Sequence, residues 1–425
     1  MKKFYALITL GILLLSAILS VSFSVNAQSD ESWSMFHHDL AHTGYSNTNG
    51  PSTNQTLWTF PIINNGWVLT SPAVVNGVVY FTSSDKGFHL QTTNNNIYAV
   101  NAKDGSKIWN YSVPAKIYGS PAVANGMVFF ASDDFSIYGL NATTGAYVWK
   151  CTTGLYAEGS PTVSNGIVYV GSNDHKLWAI DAMSGMPLWN FTTGGLVTAA
   201  PAVSDGVVYF GSYDHKVYAL EASTGAEKWN FSTESVVASS PAVADGKVFV
   251  GSYDNNTYAL NAATGALVWK VATGYDQCVQ ASPAVANGVV FTGGAFDYKL
   301  YALDESTGAQ KWAFTANGGI TTAPAVVGNT VYVTATLSNT TYAVNAQNGH
   351  QIWSYQTAGN VYSSPAIVNG VAYFGAYDGT FYAVGENSGG SGTAISATTY
   401  YIIAAVIVVI IIVAVAAVAL LKRHK

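Results

Sequence analysis

Ser240-Pro241-Ala242-Val243-Ala244-Asp245-Gly246 is followed by the apolar run Lys247–Ser252, then by Thr257–Ala262, Thr264-Gly265 and Trp269. This is one unit of a repeat that fills the chain. Its small-residue–Pro step recurs at Pro72, Pro121, Pro161, Pro201, Pro241, Pro283, Pro324 and Pro365, every 40 to 42 residues apart from one interval of 49. Each piece has a local reading. Asn76-Gly77, Asn125-Gly126, Asn165-Gly166, Asp205-Gly206, Asp245-Gly246, Asn287-Gly288 and Asn369-Gly370 are two-residue hairpin turns, because type I′ turns need positive φ at both positions. The run after each turn, such as Val207-Val208-Tyr209-Phe210, is continuously apolar and suits a strand buried on both faces. A turn near Asp214 leads to Val217–Leu220, and Ser223-Thr224-Gly225 leads to Lys228–Phe231. Each unit is thus four short antiparallel strands, A to D.

Four strands repeated about every 40 residues are the signature of a β-propeller; a solenoid would need capping repeats at both ends, and none is visible. The ends of the array set the blade count. Seven Pro steps are followed by a strand-D tryptophan: Trp109, Trp149, Trp189, Trp229, Trp269, Trp312 and Trp353. The eighth unit stops after Phe381-Tyr382-Ala383-Val384, while an unpaired tryptophan, Trp58, lies upstream in Leu57-Trp58-Thr59-Phe60. A ring solves this. The fold class expected is all-β: an eight-bladed propeller of four-stranded antiparallel blades closed by the N-terminal strand, plus one C-terminal transmembrane helix. Closure removes exposed sheet edges.

Composition agrees. Of 425 residues only 9% are charged and 13% are aromatic, with 41 glycines, against roughly 25% charged in ordinary soluble proteins. That excludes disorder and coiled coil and favours strands and tight turns. Five of the 17 bases (Lys2, Lys3, Lys422, Arg423, Lys425) sit at the two ends, so the middle is more acidic than the net −6 of the chain. A nucleic-acid partner, which needs a basic stripe, is excluded.

The ends read as targeting segments. Residues 1–27 form a signal peptide, with Lys2 and Lys3 before the apolar Leu7–Val21 and Val25-Asn26-Ala27 as a small-residue cleavage site. Residues 28–54 are a lead-in, 55–386 the propeller and 387–399 a Gly/Ser/Thr-rich flexible stalk. Residues 400–421 are a transmembrane helix that opens with Tyr400 and Tyr401, and 422–425 are a basic cytoplasmic tail. The expected localisation is the cell membrane, single-pass, with the propeller outside and the C-terminus cytoplasmic.

Ala219-Leu220-Glu221-Ala222-Ser223-Thr224-Gly225 followed by Trp229 resembles the tryptophan-docking motif of the pyrroloquinoline-quinone (PQQ) repeat family of eight-bladed propellers. The Asn/Asp/Glu position stands eight residues before the tryptophan in all seven complete units, from Asn101–Trp109 to Asn345–Trp353. The resemblance covers about residues 55 to 385. Trp33-Ser34-Met35-Phe36, Asp39 and His42-Thr43-Gly44 also look like the lead-in of surface proteins in this group. It implies that Trp58 and the other seven docking tryptophans are structural, packed between blades. Its alcohol-dehydrogenase members hold PQQ over Ca²⁺, with a catalytic Asp, a tryptophan under the quinone and an adjacent Cys-Cys disulfide. Here the cysteines are Cys151 and Cys278. They fall about 135° apart around the ring, whereas a disulfide needs Cα atoms within about 7 Å, so two free thiols are expected.

Carboxylate supply is the second test, since Ca²⁺ takes six to eight oxygens. Four places before each proline the residues are apolar, from Val68 to Val361, and two places before they are small, from Thr70 to Ser363. Three places before they vary: Leu69, Tyr118, Glu158, Thr198, Ala238, Gln280, Thr321 and Tyr362. Strand alternation puts this variable set on the other side from the apolar one, lining the mouth of the central channel. One acid, Glu158, is too few for a catalytic Ca²⁺ site. Tyr118, Glu158, Gln280 and Tyr362 are the candidate ligand-binding residues, suited to a sugar or peptide. Blade 1 carries a longer B-to-C loop, Ser83 to Asn96, on the same rim.

His37-His38-Asp39 with His42 has metal-like spacing, but the lead-in context reads as a docked segment. His175 and His215 sit in equivalent turns. N-glycosylation sequons stand at Asn54, Asn110, Asn141, Asn190, Asn230, Asn255 and Asn339; Asn110, Asn190 and Asn230 directly follow docking tryptophans and should point outward. No nucleophile elbow, phosphate loop or zinc signature appears. The expected function is non-enzymatic: a membrane-anchored binding or scaffolding protein without catalytic residues, metal or cofactor, whose partner is an extracellular protein or glycan. The alternatives are a PQQ- and Ca²⁺-dependent quinoprotein oxidoreductase and, by similarity to propeller lipoproteins of outer-membrane assembly, an envelope protein assembly factor.

Overall fold

The structure, a computed structural model, describes residues 32–62, 66–85, 95–275, 279 and 281–386. The signal, stalk, span and tail segments, Cys278, Gln280 and most of the Ser83–Asn96 loop lie outside the described residues. Among the described residues no helix is long and apolar enough to cross a membrane.

Eight antiparallel sheets follow one another along the chain. Blade 4 is typical, with strands Ala202–Ser204, Val207–Gly211, Lys216–Glu221 and Glu227–Ser232 in the order A, B, C, D. The hairpin turns form as the Asn/Asp-Gly pairs dictate: Asn125 and Gly126 have φ of 52° and 75°, Asp245 and Gly246 of 45° and 71°. Strand B is buried along its length, as in Val207–Gly211, while the outermost strand D alternates exposed and buried residues. The innermost A strands touch in circular order, and the Ala366–Val368 strand of blade 8 lies against Ala73–Val75 of blade 1.

The ring closes through the N-terminal strand Thr56–Pro61, which pairs antiparallel with Thr380–Gly385 as strand D of blade 8, Trp58 opposite Ala383 and Phe60 opposite Phe381. The lead-in adds something the repeat did not announce. Tyr45–Ser46 pairs in parallel with Ala325–Val327, giving blade 7 a fifth strand on its inner edge.

The tryptophans glue neighbouring blades in one geometry. The indole Nε1–H of Trp58, Trp109, Trp149, Trp189, Trp229, Trp269 and Trp312 donates to a carbonyl at the C–D corner of the next blade: Ala102, Ala142, Ala182, Ala222, Ala262, Glu305 and Ala346, at 2.9 to 3.1 Å. The ring then lies on the glycine of the next Thr-Gly turn. At Gly265 (φ +72°) an added Cβ would come 2.7 Å from Cδ2 of Trp229, so both the conformation and the space call for glycine. The Asn/Asp eight places before the tryptophan holds that turn, as when Asn261 Oδ1 accepts from the N–H groups of Ala263 and Thr264.

Candidate functional site

Two features of the hub come from the Pro step itself. The residue before each proline forms a belt in which one blade's N–H donates to the next blade's serine hydroxyl. The links run Ser71→Ser120, Ser120→Ser160, Ala200→Ser240, Ser240→Ser282, Ala323→Ser364 and Ser364→Ser71, at 2.9 to 3.0 Å. The belt is interrupted where Ala200 and Ala323 provide no hydroxyl.

Below the belt the lead-in curls around the inside of the ring. Its carbonyls accept the N–H of the middle strand-A residue in blade after blade: Trp33 from Val74, Ser34 from Val123, Leu40 from Val203, Ala41 from Val243, Thr43 from Val285 and Gly44 from Val326. In six of the eight blades the edge N–H that a propeller leaves at its axis is thereby satisfied. The tight path uses left-handed residues, His37 (φ 59°), His38 (φ 76°) and His42 (φ 55°). It also needs Gly44 (φ +63°), where a Cβ would meet His37 Nε2 at 2.8 Å. His37 Nε2 donates to the Pro324 carbonyl at 3.0 Å and His42 Nε2 pairs with Thr162 Oγ1 at 3.1 Å. The two imidazoles thus serve different blades. Burial pushes His37 down to about 4 and His42 to about 3, so both are neutral ring-bonding groups. Among the described residues no three His, Cys, Asp or Glu side chains group as metal ligands. The lead-in leaves a cavity of about 780 Å³ lined by Ser34, Met35, His38, Asp39, Tyr45 and Thr48 among others.

The other end of the channel, bounded by the D-to-A and B-to-C loops, is the mouth. The apolar set four places before each proline is buried, including Val68, Val237 and Val361. The variable set three places before is accessible: Tyr118 is 39% and Tyr362 41% exposed, and Glu158 is half-buried. Gln280 lies outside the described residues. Tyr118 and Glu158 come from neighbouring loops, an added Cβ at Gly119 lying 3.2 Å from the Glu158 carbonyl oxygen; burial, then the carboxylates of Asp133 and Glu158, pushes the Tyr118 hydroxyl upward. Tyr362 reaches the same cluster through Tyr377, with ring centroids 5.9 Å apart.

Sequence reasoning missed four members of this cluster: Trp67, Lys116, Asp133 and Tyr377. Trp67 and Lys116 stand five places before their prolines, the same parity as the variable set, and that alternation was a usable signal. Asp133 and Tyr377 come from B-to-C turns and carried none. Burial, then the neighbouring Glu158 charge, pushes Asp133 up to about 7, with Lys116 acting the other way.

The exposed aromatic side chains are unevenly placed. Tyr118, Phe135, Tyr156, Tyr275, Phe296, Tyr298 and Tyr362 all belong to D-to-A or B-to-C segments; Tyr147, at the start of a D strand, is the exception among the described residues.

Other sequence candidates scatter. His175 and His215 are exposed turn residues with φ of 67° and 72°. Cys151 is a buried free thiol raised by burial. Asn110, Asn190 and Asn230 are exposed on outer D strands, and Asn54 is exposed with its amide donating to the Ser354 carbonyl at 2.8 Å. Asn141 spends its Oδ1 capping the Thr143-Thr144 turn. Asn255 and Asn339 are half-buried in left-handed turns.

A repeat family described as outer membrane protein assembly factor BamB matches residues 137–275, 184–313 and 297–393. No curated protein matches the chain in sequence. Among solved structures, BamB from Moraxella catarrhalis superposes with a TM-score of 0.65 at 19% identity, covering 78% of this chain and 97% of its own. The designed Ika8 protein does so at 0.68 and 18%, covering 78% and 100%. Quinohemoprotein alcohol dehydrogenase from Comamonas testosteroni does so at 0.70 and 15%, covering 83% and 80%. At such identities the likeness is one of fold.

Proposed function

The chain belongs to the PQQ-type repeat family described as outer membrane protein assembly factor BamB, and from there we propose that it is a non-enzymatic binding protein whose ligand enters at the channel mouth. In this reading it is exported by residues 1–27 and held at the cell surface by residues 400–421. The observation that carries the proposal is the gathering of exposed aromatic rings on the mouth face, around a hub whose inner strand edges are already occupied by the chain's own lead-in. Exposed aromatics concentrated on one face mark a recognition surface.

Among the described residues, the donor set at the mouth does not fit a Ca²⁺-held quinone. Such an ion draws on several ionised carboxylates. Here Glu158 is joined by Asp133, a group that keeps its proton to about pH 7, with Lys116 as a cation beside it. Adjacent cysteines are absent from the sequence. The family description favours one variant of the proposal, binding of other envelope proteins during their assembly. Its alternative, oxidoreductase activity, is tested by adding PQQ and Ca²⁺ to the full chain and assaying alcohols with a dye acceptor. No turnover is expected; robust turnover would overturn the proposal.

A further inference from the structure

Blades 8, 1, 2 and 3 present one unbroken chain of side chains at the mouth. Tyr362 tilts against Tyr377 at 5.9 Å, and Tyr377 stacks on Trp67 at 4.5 Å with 22° between planes. The Lys116 ammonium lies 5.3 Å from the Trp67 ring centre and 6.0 Å from that of Tyr118. Tyr118 in turn feels the carboxylates of Asp133 and Glu158. Two polar atoms in this chain, Trp67 Nε1 and Asp133 Oδ1, are buried without a hydrogen-bond partner, although buried polar atoms are nearly always paired. Tyr156 and Phe135, tilted at 5.2 Å, extend the arc with half-exposed rings.

The array offers flat rings of partial exposure beside unused hydrogen-bonding groups. An anionic ligand would meet Glu158. A cationic ligand would compete with Lys116 for the face of Trp67. A pyranose ring has what the arc lacks: apolar C–H faces to lie on tyrosine rings and a hydroxyl rim to pair with carboxyl and indole groups. We infer that this arc binds a neutral carbohydrate chain, stacked on Tyr118 and Tyr362 and hydrogen-bonded by Glu158, Asp133 and the Trp67 indole. The inference rests on the binding reading above and names its ligand class.

Asp133 faces Glu158, Lys116, Asp134 and Tyr118. Below about neutral pH it carries a proton and can donate to a sugar oxygen; above, it becomes a second negative charge beside Glu158.

The test uses the full chain on an array of neutral glucans, mannans, galactans and β-N-acetylglucosamine oligomers, with affinities measured by titration. Binding to at least one class is expected. Tyr118→Ala and Tyr362→Ala should each weaken it at least tenfold, and Tyr147→Ala, on the opposite end of the ring, should leave it unchanged. Melting curves confirm that each variant folds. Affinity should fall severalfold from pH 6 to pH 8, and Asp133→Asn, which keeps a donor at any pH, should flatten that profile. A blank array, or binding indifferent to Tyr118 and Tyr362, would overturn the inference. A photo-crosslinker at Tyr362 separates the two levels. A specific protein adduct with a blank array refutes the carbohydrate and keeps the binding mouth. A blank array without adducts refutes both.

Discussion

The indole N–H of Trp353 donates to the carbonyl oxygen of Pro51, 3.1 Å away and 302 residues earlier in the chain. The other seven docking tryptophans bond to a C–D corner, but blade 8 takes its fourth strand from the front of the chain, and the lead-in supplies the acceptor instead. Tyr332 Oη donates to the same carbonyl at 3.1 Å. The last interface is therefore made by the segment that also fills the hub.

The docking tryptophans should contribute much of the stability of a ring with no single core. Trp229 is 8% exposed and bonded to Ala262. Trp229→Ala removes a buried indole, a loss of about 3–5 kcal/mol, and should lower the melting temperature by several degrees. Trp229→Phe, which loses the hydrogen bond but keeps most of the area, should fall between. An unchanged melting curve for the alanine variant would contradict the docking role.

Two glycines of like backbone angle should respond differently. Gly126 (φ +75°) has nothing within 4 Å of an added Cβ, whereas at Gly265 (φ +72°) that atom would strike Trp229. Gly126→Ala should cost about 1–2 kcal/mol, the left-handed penalty alone. Gly265→Ala should cost clearly more in a urea titration. Equal costs would mean the indole is not seated on the turn.

The serine belt makes a prediction in both directions. Ser240→Ala leaves the buried N–H of Ala200 without its acceptor, at about 1–3 kcal/mol. Ala200→Ser and Ala323→Ser should close the two gaps and raise the melting temperature, most of all together. A neutral or destabilising double variant would show that the belt is incidental.

Neutral burial of His37 and His42 makes stability depend on pH. Both are held below their ordinary value, so above about pH 6.5 folded and unfolded chains bind the same protons. As pH falls from 6.5 towards 4, the unfolded chain takes up protons that the folded one refuses. Stability then drops by about 1.4 kcal/mol per pH unit for each histidine. Carboxylates add their own loss below pH 5, so the check is comparative. A His37→Asn/His42→Asn variant should show a shallower decline between pH 6.5 and 5 than the parent chain. Parallel declines would place the histidines outside the folding equilibrium.

Much of this was legible because the physics repeats. Asn/Asp-Gly turns, apolar B strands and the tryptophan spacing each carry a local requirement, stated at least seven times over, and Trp58, a docking tryptophan without a unit of its own, disclosed the closure. The lead-in was less legible. Its backbone carbonyls do the bonding, and carbonyls leave no mark in a sequence; only Gly44 and the histidines hint at a constrained path. The mouth was half legible. Alternation found Tyr118, Glu158 and Tyr362, but Asp133 and Tyr377 arrive from turns on other strands, and their neighbourhood exists only once the ring is closed.

Hydrogen–deuterium exchange on the full chain tests the closed ring and its filled hub most directly. The ladder-bonded amides of Thr56–Phe60 should exchange in step with those of Thr380–Gly385, their partner strand. Those of Val74, Val123, Val203, Val243, Val285 and Val326, bonded to the lead-in, should be protected to the same degree. Fast exchange of the ladder-bonded amides of Thr56–Phe60 beside a protected Thr380–Gly385, or unprotected strand-A valines, would contradict the closure and the site built on it.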